Sequence, residues 1–436
     1  MIKLLKYPDR KDWQELVKRP VFENTSLEKA VKKILDKVKV KGDNAVRKYT
    51  KEFDGVKFKK LVENEKEIKA AETLLSEELK DAIQQAKSNI EKFHRFQLEE
   101  IKVIETRPGI SCWRKSVGIE KVGIYIPGGS APLFSTVLML AVPASIAGCK
   151  EIILASPPTH TAGGEGALIH PAILYAANLC GVSKIFKVGG VQAIAAMAYG
   201  TESIPKVFKI FGPGNQYVTA AKQLIQKEGV AIDMPAGPSE VLVIADETAI
   251  PEFVAADLLS QAEHGKDSQV MLLTTSERIA EEVQRSLTEQ LKELPRNDIA
   301  EKALFNSKIV LVNTIEEAID LSNLYAPEHL ILSCSNAEEL AGKIISAGSV
   351  FIGNYSPESA GDYASGTNHV LPTNGYAAMY SGVSVDSFVK KITFQQLSKD
   401  GLQNIGDAVM QMAMAEGLDA HKNAIAIRLN KNNNGF

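Results

Sequence analysis

The stretch VGIYIPGGSAPLFSTVLMLAVPASIAGCKEIILAS (122–156) decides the fold. It begins with a short apolar run, VGIYIP (122–127), continues through a segment with helical spacing, Ser135–Ala147, and ends with a second run, EIILAS (151–156). Strand, helix and strand in this order predict a βαβ unit, in which the two strands are parallel and the helix covers their sheet.

The same alternation continues toward the C-terminus, where helix-like segments such as Pro171–Cys180 and Glu252–His264 separate further apolar runs. These runs are KIFKVGG (184–190), VFKIFGPG (207–214), VLVIAD (241–246), QVMLLTT (269–275), KIVLVN (308–313), HLILS (329–333) and GSVFIGN (348–354). Nine strands are many for one sheet, so we expect an α/β fold with two parallel sheets covered by helices on both faces. Ligands in such folds bind outside the carboxyl ends of the strands.

The part that precedes these strands, residues 1 to about 120, is predicted to be mostly helical. Leu27–Val40 is amphipathic and Gly42 follows as a stop, while Asn64 and Glu67 have the spacing of a capping box. Ser76–Gln97 has apolar residues at helical spacing among many charges, which predicts a long surface helix.

The C-terminal part divides into a loop-rich stretch, 354–384, and a second helical region, 394–429. Earlier in the chain, HTAGGEGALIH (160–170) is typical of a glycine-rich surface loop, and nothing in its sequence indicates a role for it.

Composition limits the class of protein. A chain of 436 residues is too long for one core, and 50 basic against 53 acidic residues leave a net charge of -3, too weak a field to hold nucleic acid or a membrane. The N-terminus MIKLLKYPDRKDW lacks the apolar core of a signal peptide, and the 4 cysteines form no CxxC pair. We therefore expect a cytoplasmic protein with neither a nucleic-acid nor a membrane partner.

Histidines occur in polar settings in the last 173 residues of the chain. Gln261 and His264, in QAEHG (261–265), are three residues apart on a predicted helix and so share a face, and Gly265 is placed to cap that helix. Nitrogen and oxygen donors without sulfur suit zinc in an open, substrate-accepting site. A hydrogen bond at the helix end is the plain alternative.

Two further segments carry groups suited to catalysis. Glu328 and His329 stand at the entry to the strand HLILS, where they could supply a base and activate water; an exposed acid beside a strand-capping histidine is the alternative. Asp362, in the loop AGDYASGTNH (360–369), could be a metal ligand or merely a turn-forming residue.

Three glycine clusters follow strand runs, where main-chain amides can approach a phosphate: IPGGSAP (126–132), VGGVQA (188–193) and FGPGN (211–215). None fits GxGxxG, and no GxxxxGK[ST] occurs. The residues alone thus indicate an α/β enzyme with an open metal site and glycine clusters suited to a nucleotide.

Together these segments resemble the histidinol dehydrogenase family, in the family's order and from about residue 120 to the C-terminus. The resemblance rests on VGIYIPGGSAPLFSTVLMLAVPASIAGC, KVGGVQAIAAMAYGT, KIFGPGNQYVTAAK, IDMPAGPSEVLVIAD, DLLSQAEHGKDSQV, APEHLI, AGSVFIGNYSPESAGDYASGTNHVLPT and AHKNA. The main departure is a longer loop at 160–170, which touches no motif.

The resemblance implies a zinc- and NAD-dependent dehydrogenase and assigns its site. The implied catalytic pair is Glu328 and His329. The remaining implied contacts are Gln261, His264, Asp362 and His421 for zinc, Ser239, His369 and Glu416 for the substrate, and Tyr125, Gln192 and Asn215 for NAD.

The implied fold is two incomplete Rossmann-like domains with parallel sheets, plus small helical N- and C-terminal segments. The corresponding divisions are an N-terminal segment 1–25, a discontinuous substrate and zinc domain 26–124 and 241–383, an NAD domain 125–240, and a C-terminal segment 384–436. The last segment is expected to reach the partner in a homodimer with shared active sites.

The implied reaction oxidises L-histidinol through L-histidinaldehyde to L-histidine and reduces two NAD, at the end of histidine biosynthesis. Three alternatives remain: a relative that oxidises another alcohol such as a sulfonated diol, a zinc hydrolase that uses Glu328, and a non-catalytic nucleotide-binding protein. The joint presence of Glu328, Ser239, Glu416 and His369 argues against the first.

Overall fold

The framework of the chain is sixteen strands and sixteen α-helices within residues 2–19, 25–58, 60–128, 131–160, 167–235 and 237–429, which the computed structural model describes. The strands are β1 (Lys3–Lys6), β2 (Ile104–Arg107), β3 (Ile110–Gly118), β4 (Lys121–Tyr125), β5 (Glu151–Ser156), β6 (Thr159–His160), β7 (Ala167–Leu168), β8 (Lys184–Lys187), β9 (Lys209–Phe211), β10 (Ala231–Ile232), β11 (Glu240–Ala245), β12 (Gln269–Thr274), β13 (Lys308–Leu311), β14 (His329–Ser333), β15 (Ser349–Ile352) and β16 (Val389–Leu397).

The helices are α1 (Trp13–Leu16), α2 (Thr25–Asp54), α3 (Glu65–Glu72), α4 (Glu77–Arg95), α5 (Phe134–Ile146), α6 (Pro171–Leu179), α7 (Gly190–Tyr199), α8 (Gln216–Gln226), α9 (Pro251–Ala262), α10 (Glu277–Leu291), α11 (Asn297–Phe305), α12 (Ile315–Tyr325), α13 (Ala337–Ala341), α14 (Glu358–Tyr363), α15 (Lys399–Ala415) and α16 (Asp419–Arg428). No helix in the described ranges combines the length and apolar character needed to span a bilayer.

Two parallel sheets contain all nine predicted strands. One has six strands in the order β1-β13-β12-β11-β14-β15, and the other has five in the order β10-β9-β4-β5-β8. Every pairing within each of these sheets is parallel. The predicted α/β class with two parallel sheets is therefore confirmed.

The centre of the six-stranded sheet is buried on both faces, since β11, β12 and β14 are buried at every position. Val241 and Val243 of β11 belong to a core with α9, α10 and α11. Their neighbours Leu242 and Ile244 point the opposite way, into a core with α12 and α13. Strand β11 is thus covered by helices on both of its faces.

The five-stranded sheet packs against α2, α7 and α8 through one of its faces, where Ile153 and Ala155 of β5 share a core with Val31 and Leu35 of α2. Helix α2 breaks at Gly42, whose φ of 49° falls in the left-handed region, so the predicted stop is a kink between two helical halves. The predicted capping box at the start of α3 and the predicted surface helix α4 are also present.

Seven strands were absent from the sequence prediction: β1, β2, β3, β6, β7, β10 and β16. Strand β1 lies in the segment predicted as helical and adds to the edge of the six-stranded sheet beside β13. The predicted helix from Phe394 was wrong for residues 394–397, which belong to β16, because β16 pairs with β3 over its whole length. The loop prediction for 160–170 falls largely on 161–166, outside the described residues.

The chain separates into two units, and each is described by itself. The first unit, Met1–Gln97 and Ile119–Phe388, contains both parallel sheets. The second unit, Leu98–Gly118 and Val389–Phe436, contains an antiparallel sheet in the order β16-β3-β2, followed by α15 and α16. The four-part domain division made from the sequence stays a prediction.

Candidate functional site

The predicted catalytic pair lies at the amino end of β14, where His329 is in register with Val241 of β11. This location differs from the carboxyl-end position expected for ligands of a parallel sheet. Helix α12 ends at Tyr325, and its C-cap Ala326, with a φ of 51°, turns the chain sharply into the segment that carries Glu328. Both side chains are buried, with exposed fractions of 6% for Glu328 and 3% for His329.

The main chain of Glu240 holds both members of the pair. Its N–H donates to Oε2 of Glu328 at 2.8 Å, and its carbonyl oxygen lies 3.1 Å from Nδ1 of His329. A carbonyl can only accept, so Nδ1 carries the proton and a neutral ring keeps its lone pair on Nε2. Nε2 has no hydrogen-bond partner in the described chain and lies 3.5 Å from Oδ1 of Asp362. The buried ring therefore points Nε2 at Asp362, and this nitrogen is a base whenever the ring is neutral.

Charges around this ring are strongly coupled. Burial raises the pKa of the Glu328 carboxyl well above its usual range. Burial alone would lower the pKa of His329, but the carboxylates of Glu328 and Asp362 raise it. Burial would raise the pKa of Asp362, but the imidazoles of His329, His369 and His264 lower it overall. Asp362 is thus the carboxyl of this group that is held ionised.

The predicted metal-ligand pair lies at the end of α9, with Gln261 in its last turn and His264 just beyond it. The helix ends at Ala262 with Glu263 as its C-cap, so the prediction that Gly265 caps it was wrong. The chain instead continues in a turn in which the N–H of His264 donates to the carbonyl of Gln261 at 3.3 Å. This bond adds one turn beyond the end of the helix.

The amide of Gln261 has a preferred orientation. As placed, its nitrogen lies 3.4 Å from Oε2 of Glu328. When the amide nitrogen and oxygen exchange positions, the nitrogen donates to Oε1 of Glu358 at 3.0 Å and the oxygen accepts from the Glu240 N–H at 3.0 Å. Both polar atoms of the amide then have a hydrogen-bond partner. His264 is exposed, and desolvation of its ring by neighbouring groups lowers its pKa against the charge of Asp362. A neutral imidazole is the form that binds a metal.

Asp362 and His369 come from the segment predicted as a functional loop, but its first part forms the short helix α14. The carbonyl of Asp362 lies 2.8 Å from Nδ1 of His369, and Nε2 of His369 lies 2.9 Å from Oγ1 of Thr136. Both ring nitrogens of His369 are therefore engaged within the chain. This ring is fixed next to the Asp362 carboxylate.

Glu358 is a further site residue that sequence reasoning missed. Its carboxyl is 1% exposed, accepts from Oγ of Ser260 at 2.8 Å through Oε1, and has no partner for Oε2 among the described residues. Burial raises its pKa well above the usual range. Its position four residues before Asp362 on one helix is the signal that could have revealed it, because residues i and i+4 share a face.

The remaining predicted contacts lie in different parts of the chain. Ser239 is half-buried directly before Glu240 in the first unit. Glu416, the C-cap of α15, and His421, in α16, belong to the second unit and are exposed. Across the described ranges, no three side chains of His, Cys, Asp or Glu form a group that could hold a metal ion.

The predicted NAD contacts lie around the carboxyl edge of the five-stranded sheet. Tyr125 ends β4, Gln192 lies in the first turn of α7, and Asn215 caps the start of α8. The strand order places β5 on one side of β4 and β9 on the other, so β4 and β9 flank the point where the winding reverses. Ligands of doubly wound sheets bind in the crevice at this point.

Two features of the residues around this crevice are unusual. Gly212 has a φ of 125° and a Cβ there would lie 2.0 Å from the carbonyl oxygen of Tyr125, so a side chain is excluded. Gln192 is 1% exposed, yet neither its amide oxygen nor its nitrogen has a hydrogen-bond partner in the described chain. Buried amides are almost always paired, and an unpaired one needs an explanation.

A parallel α/β framework with an acid–base pair at one sheet and a crevice at the switch point of the other defines the class of α/β enzymes that act on small molecules. Comparison with known proteins gives the family. The family model described as "Histidinol dehydrogenase" matches residues 17–429. The chain belongs to the histidinol dehydrogenase family, and its predicted resemblance to that family is confirmed.

Individual relatives agree over nearly their whole length. The chain is 61% identical to a histidinol dehydrogenase of Bacteroides thetaiotaomicron over 99% of both chains. It is 52% identical to that of Escherichia coli over 96% of this chain and 95% of the relative. A crystal structure of histidinol dehydrogenase from Elizabethkingia anophelis, 57% identical, superposes with a TM-score of 0.96 and covers 99% of this chain and 98% of that one. Nothing in these comparisons supports a relative that acts on a sulfonated diol.

Proposed function

We propose that this chain oxidises L-histidinol through L-histidinaldehyde to L-histidine, with reduction of two NAD, in the last steps of histidine biosynthesis. Family membership supports the substrate. The observation that carries the chemistry is the buried ring of His329, whose free Nε2 lies beside Asp362 while its Nδ1 is tied to the main chain. An oxidation of alcohol to acid needs such a base in both steps.

The donor set of the first unit fits zinc. Gln261 offers an amide oxygen, His264 a neutral imidazole and Asp362 a carboxylate held ionised, all nitrogen or oxygen donors of the kind found in open zinc sites. These three residues, together with His421, would hold the ion. When bound, zinc would fix the imidazole and amino nitrogens of the substrate and so orient its carbinol carbon.

The acid–base steps belong to the chain's own residues. NAD, when bound, would accept the hydride released in each oxidation. In the first oxidation, Nε2 of His329 takes the hydroxyl proton as the carbinol carbon loses its hydride. Glu328 then takes a proton from the water whose oxygen adds to the aldehyde carbon, while His329 returns its proton to the aldehyde oxygen. In the second oxidation, His329, neutral again, takes a hydroxyl proton from the hydrated aldehyde as its carbon loses the second hydride. Burial of both side chains shields the aldehyde between the steps.

We assign NAD to the crevice between β4 and β9, with Tyr125, Gln192 and Asn215 as its contacts. The unpaired amide of Gln192 supports this assignment. Asn215 begins α8, and main-chain amides at a helix start suit a pyrophosphate.

The substrate contacts Ser239, His369 and Glu416, like the ligand His421, come from both units. We propose that the active protein is a homodimer in which the second unit of one chain completes the site of the other. Exposed apolar side chains beside Glu416 and His421 support a partner surface there: Met412, Met414, Leu418 and Ile427. A cytoplasmic location remains a prediction from the sequence.

The test of the reaction is NAD reduction by the purified chain with histidinol. Two NADH should form per histidinol consumed, and histidine should be the product. If no NADH forms after histidinol and NAD are added, the proposal is contradicted. Hydrolysis of an ester or amide without NAD would favour the zinc hydrolase.

The test of the shared site pairs two inactive variants, His264→Asn and His421→Asn. Co-expression with different affinity tags and purification through both tags isolates heterodimers. If sites are shared, one site of each heterodimer contains both substitutions and the other contains neither. About half of wild-type activity should then return. Heterodimers without activity would show that each chain forms its own site.

A further inference from the structure

A buried ion pair between Arg19 and Glu240 lies next to the catalytic residues but takes no direct part in the proposed reaction. Arg19 donates through Nε and Nη2 to the two carboxylate oxygens of Glu240, the second at 2.8 Å. The side chains are 15% and 3% exposed. A two-pronged bond of guanidinium to carboxylate fixes orientation as well as charge.

The guanidinium also fixes the turn that leads to Glu328. Nη2 of Arg19 donates to the carbonyl of Tyr325 at 2.7 Å, and the group lies 3.9 Å from the centre of the Tyr325 ring. Tyr325 and Ala326 are the last residue and the C-cap of α12, directly before Pro327 and Glu328. Arg19 therefore joins the start of β11 to the entry of β14.

The space around the guanidinium is shaped for it. A Cβ on Gly375, whose φ is 75°, would lie 3.1 Å from Nη1 of Arg19. The adjacent N–H of Asn374 donates to Oε1 of Glu240 at 3.0 Å. The Glu240 carboxylate thus accepts hydrogen bonds from both the Arg19 guanidinium and the Asn374 N–H.

Glu240 links this clamp to the reacting groups through its main chain. Its N–H donates to Glu328, its carbonyl accepts from His329, and in the turned-over orientation of the Gln261 amide its N–H also reaches that oxygen. A shift of the Glu240 main chain would move both members of the catalytic pair. Misplacement of catalytic groups by about 1 Å can cost on the order of a hundredfold in rate.

We propose that Arg19 and Glu240 are positioning residues, which hold Glu328 and His329 in their reactive arrangement through the main chain of Glu240. This inference rests on the proposed function, since it acts through the catalytic pair. It assigns the N-terminal segment a part in catalysis, although Arg19 touches none of the residues proposed to bind substrate or NAD.

The first experiment compares Arg19→Met with Arg10→Met in the full-length enzyme. Arg10 is a matched control because it belongs to the same segment, pairs with Asp320 at 2.8 Å and lies over the Trp13 ring, but on the surface. The Arg19→Met variant should lose about 10- to 100-fold in kcat, the usual cost of removing an outer-shell partner, with an unchanged KM for NAD. The control should keep wild-type kcat. A folded Arg19→Met enzyme with wild-type kcat would overturn the proposal.

The second experiment separates positioning from stability. Arg19→Lys keeps the charge but not the fork, so it should restore thermal stability more than kcat. If Arg19→Met does not fold, the double variant Arg19→Met/Glu240→Gln removes the unpaired buried charge and should fold, again with low kcat. Recovery of kcat in step with melting temperature across these variants would show a structural role only and overturn the proposal.

The third experiment tests the route of the effect. In a His329→Asn background, Arg19→Met should cost less than about threefold, because residues that act as a unit are not additive. A full multiplicative loss there would mean that Arg19 acts independently of the pair and would overturn the proposal. Wild-type enzyme that fails to reduce NAD with histidinol would instead overturn the proposed function, so the two failures are distinguishable.

Discussion

Replacing Gln192 with methionine should stabilise the free protein and at the same time weaken its binding of NAD. Gln192 is buried in α7, and both polar atoms of its amide lack a partner in the described chain. Methionine has nearly the same length and volume but no polar group to desolvate. The substitution therefore removes an unfavourable feature of the free chain and, if the assignment is correct, two contacts to the cofactor.

The two effects can be given magnitudes. An unsatisfied buried polar group costs about 1–3 kcal/mol, so the free variant should gain roughly that amount. For a chain of this length such a gain corresponds to a rise of about 1–3 °C in Tm. Two lost hydrogen bonds to NAD, at about 0.5–1.5 kcal/mol each, correspond to a Kd roughly 5- to 150-fold higher.

Gln269 provides a matched control for this substitution. It is also buried, but its amide is satisfied, since Oε1 accepts from the Tyr325 hydroxyl at 2.8 Å and Nε2 donates to the carbonyl of Asn306 at 3.2 Å. Gln269→Met should therefore lower Tm, and the folded variant should bind NAD as the wild type does. The two substitutions are chemically identical and differ only in whether the amide has partners.

The assays are differential scanning fluorimetry without ligand and titration calorimetry with NAD. A lower Tm for Gln192→Met would mean that its amide is paired in the free protein. An unchanged Kd for NAD would remove Gln192 from the cofactor site. Either result would refute the reasoning, because the prediction requires opposite changes in the two measurements.

Three further predictions concern the metal, the catalytic pair and the crevice. Removal of metal by a chelator should abolish oxidation and zinc should restore it; full activity in protein shown by elemental analysis to be metal-free would contradict the ligand assignment at Gln261, His264, Asp362 and His421. Glu328→Gln should slow aldehyde oxidation about 10²–10⁴-fold and alcohol oxidation much less, whereas His329→Asn should slow both, as single-turnover assays of each half-reaction can measure. Gly212→Ala should destabilise the protein by at least about 2 kcal/mol in denaturant unfolding, because its Cβ meets the Tyr125 carbonyl at a φ closed to most residues; wild-type stability would show that the crevice can relax.

The strands that sequence analysis predicted differ physically from those it missed. The predicted strands are mostly apolar, and β11 and β12 are buried at every position. Strand β16 reads VKKITFQQL and is exposed over most of its length, so neither apolar content nor alternation marks it. Its extended form depends on pairing with β3, which is more than 270 residues earlier in the chain. Local sequence does not carry such a pairing.

The site divides in the same way. The residue types and their resemblance to a family indicated which side chains to consider, but not that Glu240 would join them. That role belongs to its main chain, and it arises because β11 and β14 are neighbours in register. Glu358 was overlooked because its burial comes from packing against Ser260 of α9, a contact across 98 residues of sequence. Likewise, nothing around Arg19 in the sequence points to Glu240, which lies 221 residues away.

Unpaired buried polar atoms provide a physical indicator of the site that is independent of the resemblance. Such atoms are rare in folded proteins because each one costs stability. In the described part of the chain they include both amide atoms of Gln192, Nε2 of His329 and Oε2 of Glu358. The other unpaired atoms belong to Thr50, Asp54, Glu63, Ser322 and Asn354, so an unpaired atom alone does not mark a site. At Gln192, where both amide atoms are unpaired, we expect a ligand to complete the bonds. The cost to the free chain is then the counterpart of affinity for substrate and cofactor, which is why Gln192→Met is expected to move stability and binding in opposite directions.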